Sequence, residues 1–356
     1  MTKMPGNVLP QAADLSARTT HSTAGNSDSA SSGKPVLEPE AQCEDVSIWH
    51  PTENILLQAA KDITFARPLT TYPGWLFDIE WDNPDIAFQI RRLIWSYFRD
   101  HKSEASIPMK WHHGLELKLW LGNDLSKQLF IAGCYEPNET AFVNCSLKPG
   151  MVFVDAGAND GLYTLLASRL VGPSGQVWAF EPSEREFMRL QQNLSLNKIS
   201  NVRPLRVALA DVNGETELAV AEDEHAGQNT LGSFSCAIQS LRKETVSMRR
   251  LDDLFSEERL NRLDLIKVDI EGAETRLISG AFKLLRNLRP VVLFEASETA
   301  LQNTGSSSTQ LLDLFRKLGY DIYSFASETG RPIAAKAGEF SGNMIAAPAE
   351  AGIVAT

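Results

Sequence analysis

Basic residues are the first shortage: 34 Lys and Arg face 45 Asp and Glu across 356 residues, for a formal net charge of -11. Tracking a nucleic-acid backbone takes clustered cations. No cluster of Lys or Arg stands out, so the expected partner is small or neutral and not a nucleic acid. Cysteine is sparse as well. Cys43, Cys134, Cys145 and Cys236 form no C-x-x-C pair, and no His lies at zinc-finger spacing. This speaks against a disulfide framework and a structural zinc site, and fits reduced thiols in a cytoplasm. No apolar stretch approaches the roughly 18 residues that a spanning helix needs, and the first residues lack the basic start and apolar run of a signal peptide. No membrane span is expected. What remains is the composition of a soluble globular enzyme, long enough for one substantial core with extensions.

Large apolar residues are almost missing from Met1 to about Gln42, where stretches such as "HSTAGNSDSASSGKPVLEPE" cannot offset their ordering entropy by burial. Residues 1–42 are expected to be a disordered tail. Residues 43–134 are different and form an aromatic-rich extension, with Trp49, Trp75, Trp81, Trp95, Trp111 and Trp120 in it. In "PDIAFQIRRLIWSYFRD" the spacing of Ile86, Ile90, Leu93, Ile94 and Tyr97 predicts a helix with those residues on its apolar face. "GLELKLWLG" alternates Leu115, Leu117, Leu119 and Leu121 with Glu116, Lys118 and Trp120, the period of a half-buried strand. The tryptophans read most simply as core packing, although they could line a substrate pocket or cover a homodimer surface.

From residue 135 onward, strand and helix patterns alternate. Strands are predicted at Val152 to Ala156, Gln176 to Glu181, Val202 to Leu209, Leu263 to Ile270 and Pro290 to Ala296. Helices are predicted at Leu162 to Leu170, Glu184 to Asn197 and Ala273 to Arg286. Continuous apolar strands such as "MVFV" and "VVLF" suit a parallel sheet covered on both faces, so the predicted fold is a doubly wound α/β domain. About Asp211 to Asp252 a long interruption carries a predicted hairpin and the loop "EDEHAGQNTLGSFS".

In such a sheet, ligands bind beyond the carboxyl ends of the strands, where "FVDAGANDGLYTLLA" places a glycine turn before a helix. Gly157 and Gly161 permit close backbone approach, and the helix start offers unpaired N–H groups. The turn lacks the G-K-[ST] of a Walker A loop and the third glycine of a dinucleotide fingerprint. Asp155 and Asp160 would repel a pyrophosphate and tolerate a cationic ligand. S-adenosylmethionine, with its sulfonium and its zwitterionic amino acid end, is such a ligand. Glu181 closes the next strand, where a carboxylate can take both hydroxyls of a ribose.

Four stretches, "FVDAGANDGLYTLLA", "AFEPSEREFMRLQQN", "ALADVNGETEL" and "LDLIKVDIEGAETRLISGA", together resemble the FkbM family of S-adenosylmethionine-dependent methyltransferases. The similarity runs from roughly Tyr135 to Pro348, including "CYEPNET" and "NMIAAP", and leaves the Trp-rich region outside. Asp160 departs from it, since the family usually has an apolar or small residue there. The resemblance implies a Rossmann-like class I methyltransferase sheet over residues 135–356 and O-methylation of a hydroxyl on a polyketide, sugar or related small molecule or glycan. It also implies that Asp155, Gly157, Asn159 and Gly161 surround the methionine part of the cofactor, that Glu181 binds its ribose, and that Ala208 to Asp211 lie near the adenine. Asp211, before "VNG", is also an ordinary turn former.

The second constellation is "IKVDIEG". In an extended strand Lys267, Asp269 and Glu271 project to one side, bringing three ionisable groups to a strand's carboxyl end. Asp269 or Glu271 could take the hydroxyl proton, with Lys267 tuning or orienting; a salt-linked strand end is the alternative. His225 sits in the Gly- and Asn-rich loop and stands as a further candidate base or acceptor contact. His112 and His113 have no metal-ligand spacing with an acidic helix, so no metal is expected. Three rivals remain. A nicotinamide-dependent oxidoreductase is disfavoured by the acid-flanked turn. A nucleic-acid base methyltransferase would usually show [DN]-P-P-[YF], which does not occur here. The third is a non-catalytic cofactor-binding scaffold.

Overall fold

The computed structural model describes residues 53–73, 85–234, 240–336, 338, 340 and 342–353. The expected disordered tail, Trp49, Trp75 and Trp81 lie outside the described residues. The chain opens with α1 (Glu53–Ile63), α2 (Ile86–Asp100) and a hairpin of β1 (Ser106–Lys110) and β2 (Glu116–Trp120). Along β2 the alternation holds as far as Leu119: Leu115, Leu117, Leu119 and Leu121 are all buried, but Trp120 on the opposite face is buried as well.

Helix α2 is turned differently from its leucine and isoleucine spacing. Asp85 caps it, its side chain accepting from the N–H groups of Ala87 (2.7 Å) and Phe88 (3.1 Å). Phe88, Arg91, Ile94, Trp95 and Phe98 face inward, whereas Ile86 and Leu93 are 76% and 70% exposed. Three rings bury more apolar surface than the aliphatic stripe would, and the Trp95 indole is anchored by donating to the Asn123 carbonyl (3.2 Å) and Ser126 Oγ (3.1 Å). The largest side chains decide which face is inside. Among the described residues, the extension shares its core with the rest of the chain: Trp95, Ile107 and Leu117 belong to the same apolar cluster as Phe153 and Leu165. Trp95, Trp111 and Trp120 are buried as packing residues.

After α3 (Pro137–Ser146) comes the alternating part. β3 (Val152–Ala156), α4 (Leu162–Val171), β4 (Gln176–Phe180), α5 (Glu184–Leu196) and β5 (Val202–Leu205) lead to a small three-stranded sheet of β6 (Ala208–Leu209), β7 (Gly214–Ala221) and β8 (Ser240–Arg249). The predicted hairpin is β7–β8, and the predicted strand over 202–209 is divided between two sheets. Next follow α6 (Leu251–Glu257), β9 (Leu265–Val268), α7 (Glu274–Gly280), α8 (Phe282–Leu288) and β10 (Val291–Glu295). The single helix predicted over 273–286 breaks at Ala281, whose φ of -111° and ψ of 8° leave the helical region. The chain then adds α9 (Glu298–Asn303), α10 (Ser308–Lys317), β11 (Tyr320–Phe325), β12 (Pro332–Ala334) and β13 (Asn343–Pro348).

The main sheet has eight strands in the order β12-β11-β13-β10-β9-β3-β4-β5. β10, β9, β3, β4 and β5 run parallel, and β13 is antiparallel to both β10 and β11. Both faces are covered, as the apolar strands require: Phe153 and Leu265 join one cluster, while Val152, Val154, Ile266 and Val268 join the other. The strand order reverses direction between β3 and β9, so their carboxyl ends open a crevice. Among the described residues, no helix is long and apolar enough to cross a membrane.

Candidate active site

The crevice is a cavity of about 400 Å³. Its floor is the turn after β3. Gly157 and Asn159 adopt left-handed backbone (φ 84° and 48°), and the N–H groups of Gly157 and Ala158 both donate to the Phe180 carbonyl at 3.0 Å. Gly157 is needed for a reason the sequence does not reveal: an added Cβ would stand 1.8 Å from the Asp269 carbonyl oxygen. β9 presses its end against the turn, and only a glycine leaves room for it.

Glu181 follows β4 and is 5% exposed. Its Oε2 accepts from the Asn159 N–H and its Oε1 from the Ser183 N–H, both at 2.9 Å, so each oxygen keeps lone-pair capacity for a ligand. Burial, with the neighbouring Glu186, pushes its carboxyl up to about 8, against the pull of the two N–H groups. Asp160 also lines the cavity; burial raises it to about 7 despite Arg189, and its Oδ1 has no hydrogen-bond partner.

Three residues with expected cofactor roles lie off the cavity wall. Asp155 is 1% exposed beneath the turn, where Oδ2 accepts from the Thr164 hydroxyl at 2.6 Å and ties β3 to α4. Gly161 faces α5; a Cβ there would meet the Leu190 side chain at 2.6 Å. Asp211 turns to Arg276 in a half-exposed ion pair of 2.9 Å, leaving its neighbours Val207, Ala208 and Leu209 to line the cavity. Asp211→Ala should therefore change cofactor affinity less than twofold in calorimetry, with a stability loss under about 1 kcal/mol, the usual range for an exposed pair. A tenfold loss of affinity would restore Asp211 to the binding site.

On the β9 side the cavity is lined by Lys267, Asp269 and Glu271. The strand ends at Val268, earlier than the alternation over 267–271 assumes, and Glu271 arrives through a left-handed residue (φ 53°). Lys267 Nζ donates to Asp269 Oδ2 at 2.9 Å and lies 4.7 Å from the centre of the Tyr163 ring. Burial alone would lower this ammonium, but Asp269, Glu136 and Asp155 outweigh it and hold the group above its ordinary value. Glu271 is pushed up to about 9, by burial first and then by Asp269 and Glu295. Burial and Asp269 raise Glu295 to about 8. One ligand atom each of Asp269, Glu271 and Glu295 lies within 4.8 Å of the others, the group of described residues with metal-ligand spacing; His112 and His113 are not in it.

His225 is on the wall, its Nδ1 3.1 Å from Asp124 Oδ2. The sequence reading missed Asp124, Lys127 and Gln128 of the extension, which line the same cavity together with Tyr135 and Tyr163. Nothing in the "NDLSKQ" spelling marks them. Glu136 was not singled out either, although it stands in "CYEPNET": it accepts from the Tyr163 hydroxyl (2.8 Å) and from Asn343 Nδ2 (2.9 Å), joining that motif to "NMIAAP".

Residues 155–322 match the methyltransferase FkbM domain. The chain is 31% identical to the methyltransferase sdnD of Sordaria araneosa, over 46% of this chain and 71% of that protein. It is 29% identical to the 2-O-methyltransferase NoeI of Sinorhizobium fredii, over 47% and 72% respectively. The 31-O-demethyl-FK506 methyltransferase FkbM of Streptomyces tacrolimicus is 26% identical, over 44% and 67%. With these similarities added to the sheet order and the glycine turn, the chain belongs to the FkbM family of S-adenosylmethionine-dependent methyltransferases.

Proposed function

We propose that the protein transfers the methyl group of S-adenosylmethionine to a hydroxyl of a small molecule or glycan, in a cytoplasmic setting. The observation that carries this reading is one cavity shared by the Gly157–Asp160 turn, Glu181 and the Lys267–Asp269 pair. The residues fit the cofactor. Glu181 is buried yet has acceptor capacity left for a ribose. Phe180, Leu209, Leu218 and Leu231 supply apolar walls for a base. The carboxylates of Asp160 and Asp269 suit an ammonium and a sulfonium better than a pyrophosphate. When bound, the cofactor supplies an electrophilic methyl group on a positively charged sulfur.

This chain's residues then position and exclude water, from which in-line displacement draws most of its rate. Lys267 and Asp269 orient the acceptor hydroxyl. Glu271, raised to about 9, carries its proton near neutrality and serves as a hydrogen-bond donor, not a base. Oxygen as the acceptor atom is supported by the names of NoeI and FkbM. The acid-rich composition supports a partner other than nucleic acid, and the exposed Ile86, Ile90 and Leu93 stripe is compatible with a homodimer.

The full chain, incubated with methyl-labelled S-adenosylmethionine and a panel of pyranosides, uronic acids and macrolactone alcohols, should place label on oxygen, read as a new O-methyl resonance by NMR. Tight cofactor binding without transfer to any panel member, or label on nitrogen or carbon, would replace this reading with a scaffold or another acceptor class.

A further inference from the structure

We propose that Asp124 is a positioning residue that presents His225 Nε2 to the acceptor hydroxyl, so that the segment ahead of the family-matched region completes the catalytic site. The inference rests on the O-methyl transfer reading above. Both residues line the cavity, and His225 Nδ1 is 3.1 Å from Asp124 Oδ2. A carboxylate only accepts, so this contact puts the proton of a neutral imidazole on Nδ1 and leaves the Nε2 lone pair available.

Each partner stands on a fixed support. Asp124 follows Asn123 in a capping box in which Asn123 Oδ1 accepts from the Ser126 N–H at 2.8 Å, and both Asn123 and Ser126 are 1% exposed beneath the Trp95 indole. His225 lies in the turn Asp223–Gln228, closed by the Asn229 side chain accepting from the Ala221 N–H at 2.9 Å. The turn sits over the cofactor loop, since a Cβ on Gly227 would be 3.7 Å from Asn159 Nδ2. The other acids near the turn have cationic partners of their own: Glu222 with Lys102 (3.2 Å), Asp223 with Arg189 (2.7 Å) and Glu224 with Arg99 (3.9 Å). Asp124 is the carboxylate that the geometry gives to His225.

A hydroxyl lone pair forms the new C–O bond while the C–S bond breaks, its electron pair returning to sulfur. The hydroxyl proton passes to His225 Nε2, and the imidazolium, with a side chain 34% exposed, returns it to solvent.

Three measurements on the full chain test this. In 15N NMR of histidine-labelled protein, with the His225 signals identified by their loss in His225→Gln, wild type should show the Nδ1-protonated tautomer and Asp124→Asn should shift toward the Nε2-protonated one. With an acceptor from the panel above, His225→Gln should lower kcat about 100-fold, the scale of a lost general base. Asp124→Asn should lower kcat about tenfold, and Asp124→Glu should recover part of that loss. S-adenosylhomocysteine affinity should stay within twofold in all three variants. An Nε2-protonated His225 in wild type, or a kcat above half of wild type in His225→Gln, overturns the proposal. Absence of transfer by wild type itself overturns the O-methyl reading, and the tautomer alone then decides whether Asp124 positions His225.

Discussion

Glu181→Ala is expected to weaken S-adenosylhomocysteine binding at least about 100-fold in calorimetry. Two ribose hydroxyls donating to one carboxylate make two charge-assisted hydrogen bonds, each worth roughly 1.5–3 kcal/mol net, and tenfold in affinity is about 1.4 kcal/mol. The substitution also removes the acceptor that holds the N–H groups of Asn159 and Ser183, so the turn loses its brace. A pH dependence separates these effects. Hydroxyl donors favour the ionised carboxylate, whereas burial has raised Glu181 to about 8 in the free protein. Below that value binding must first remove the proton, so affinity should rise about tenfold per pH unit up to pH 8 and flatten above it. Glu181→Gln should lose this slope while keeping the backbone contacts partly satisfied. A slope that survives in Glu181→Gln, or an alanine variant with unaltered affinity, would remove Glu181 from the ribose.

The crevice and its first acid were legible because they follow from local rules. Continuous apolar strands fix a two-sided sheet, and a sheet fixes where a glycine turn and a strand-end glutamate must lie. Asp155 and Gly161 stood in the same legible motif, yet one Asp155 oxygen is tied to Thr164 while the other is buried without a partner, and a Cβ on Gly161 would meet Leu190. Spelling gives the turn but not which of its residues face outward. The orientation of α2 was hidden for a related reason. Aliphatic periodicity favoured Ile86, Ile90 and Leu93, and only the packing of Trp95 onto Asn123 and Ser126 shows that the rings prevail. Asp124 and Glu295 were beyond reach altogether, since each meets its partner across long stretches of chain and neither lies in a periodic pattern. Glu271 was found by a strand alternation that the backbone abandons at Val268, and reaches the cavity through a left-handed turn instead.

Lys267→Met should cost about 3–5 kcal/mol of stability at pH 7.5, the range for removing one partner of a buried ion pair. Lys267 is 5% exposed, pairs in register with Asp155 on β3, and donates to Asp269. Without the ammonium, Asp155, Asp269 and Glu136 face one another across a site that already holds Asp155 at about 6. The pH sign follows from where protons bind. In wild type the Lys267 value is raised in the folded state, so its contribution is complete below the ordinary lysine range and is lost only as pH rises through the higher folded value. In the variant the folded Asp155 and Glu136 carboxyls, already raised by burial, move further above their unfolded values. The folded state then binds more protons than the unfolded one between about pH 4 and the raised values, and variant stability falls with increasing pH across that window. Urea denaturation of both proteins at pH 5, 7 and 8.5 should show the gap narrowest at pH 5 and widest at pH 8.5. A gap that is constant with pH would mean that Lys267 acts through the space its side chain fills and not through its charge.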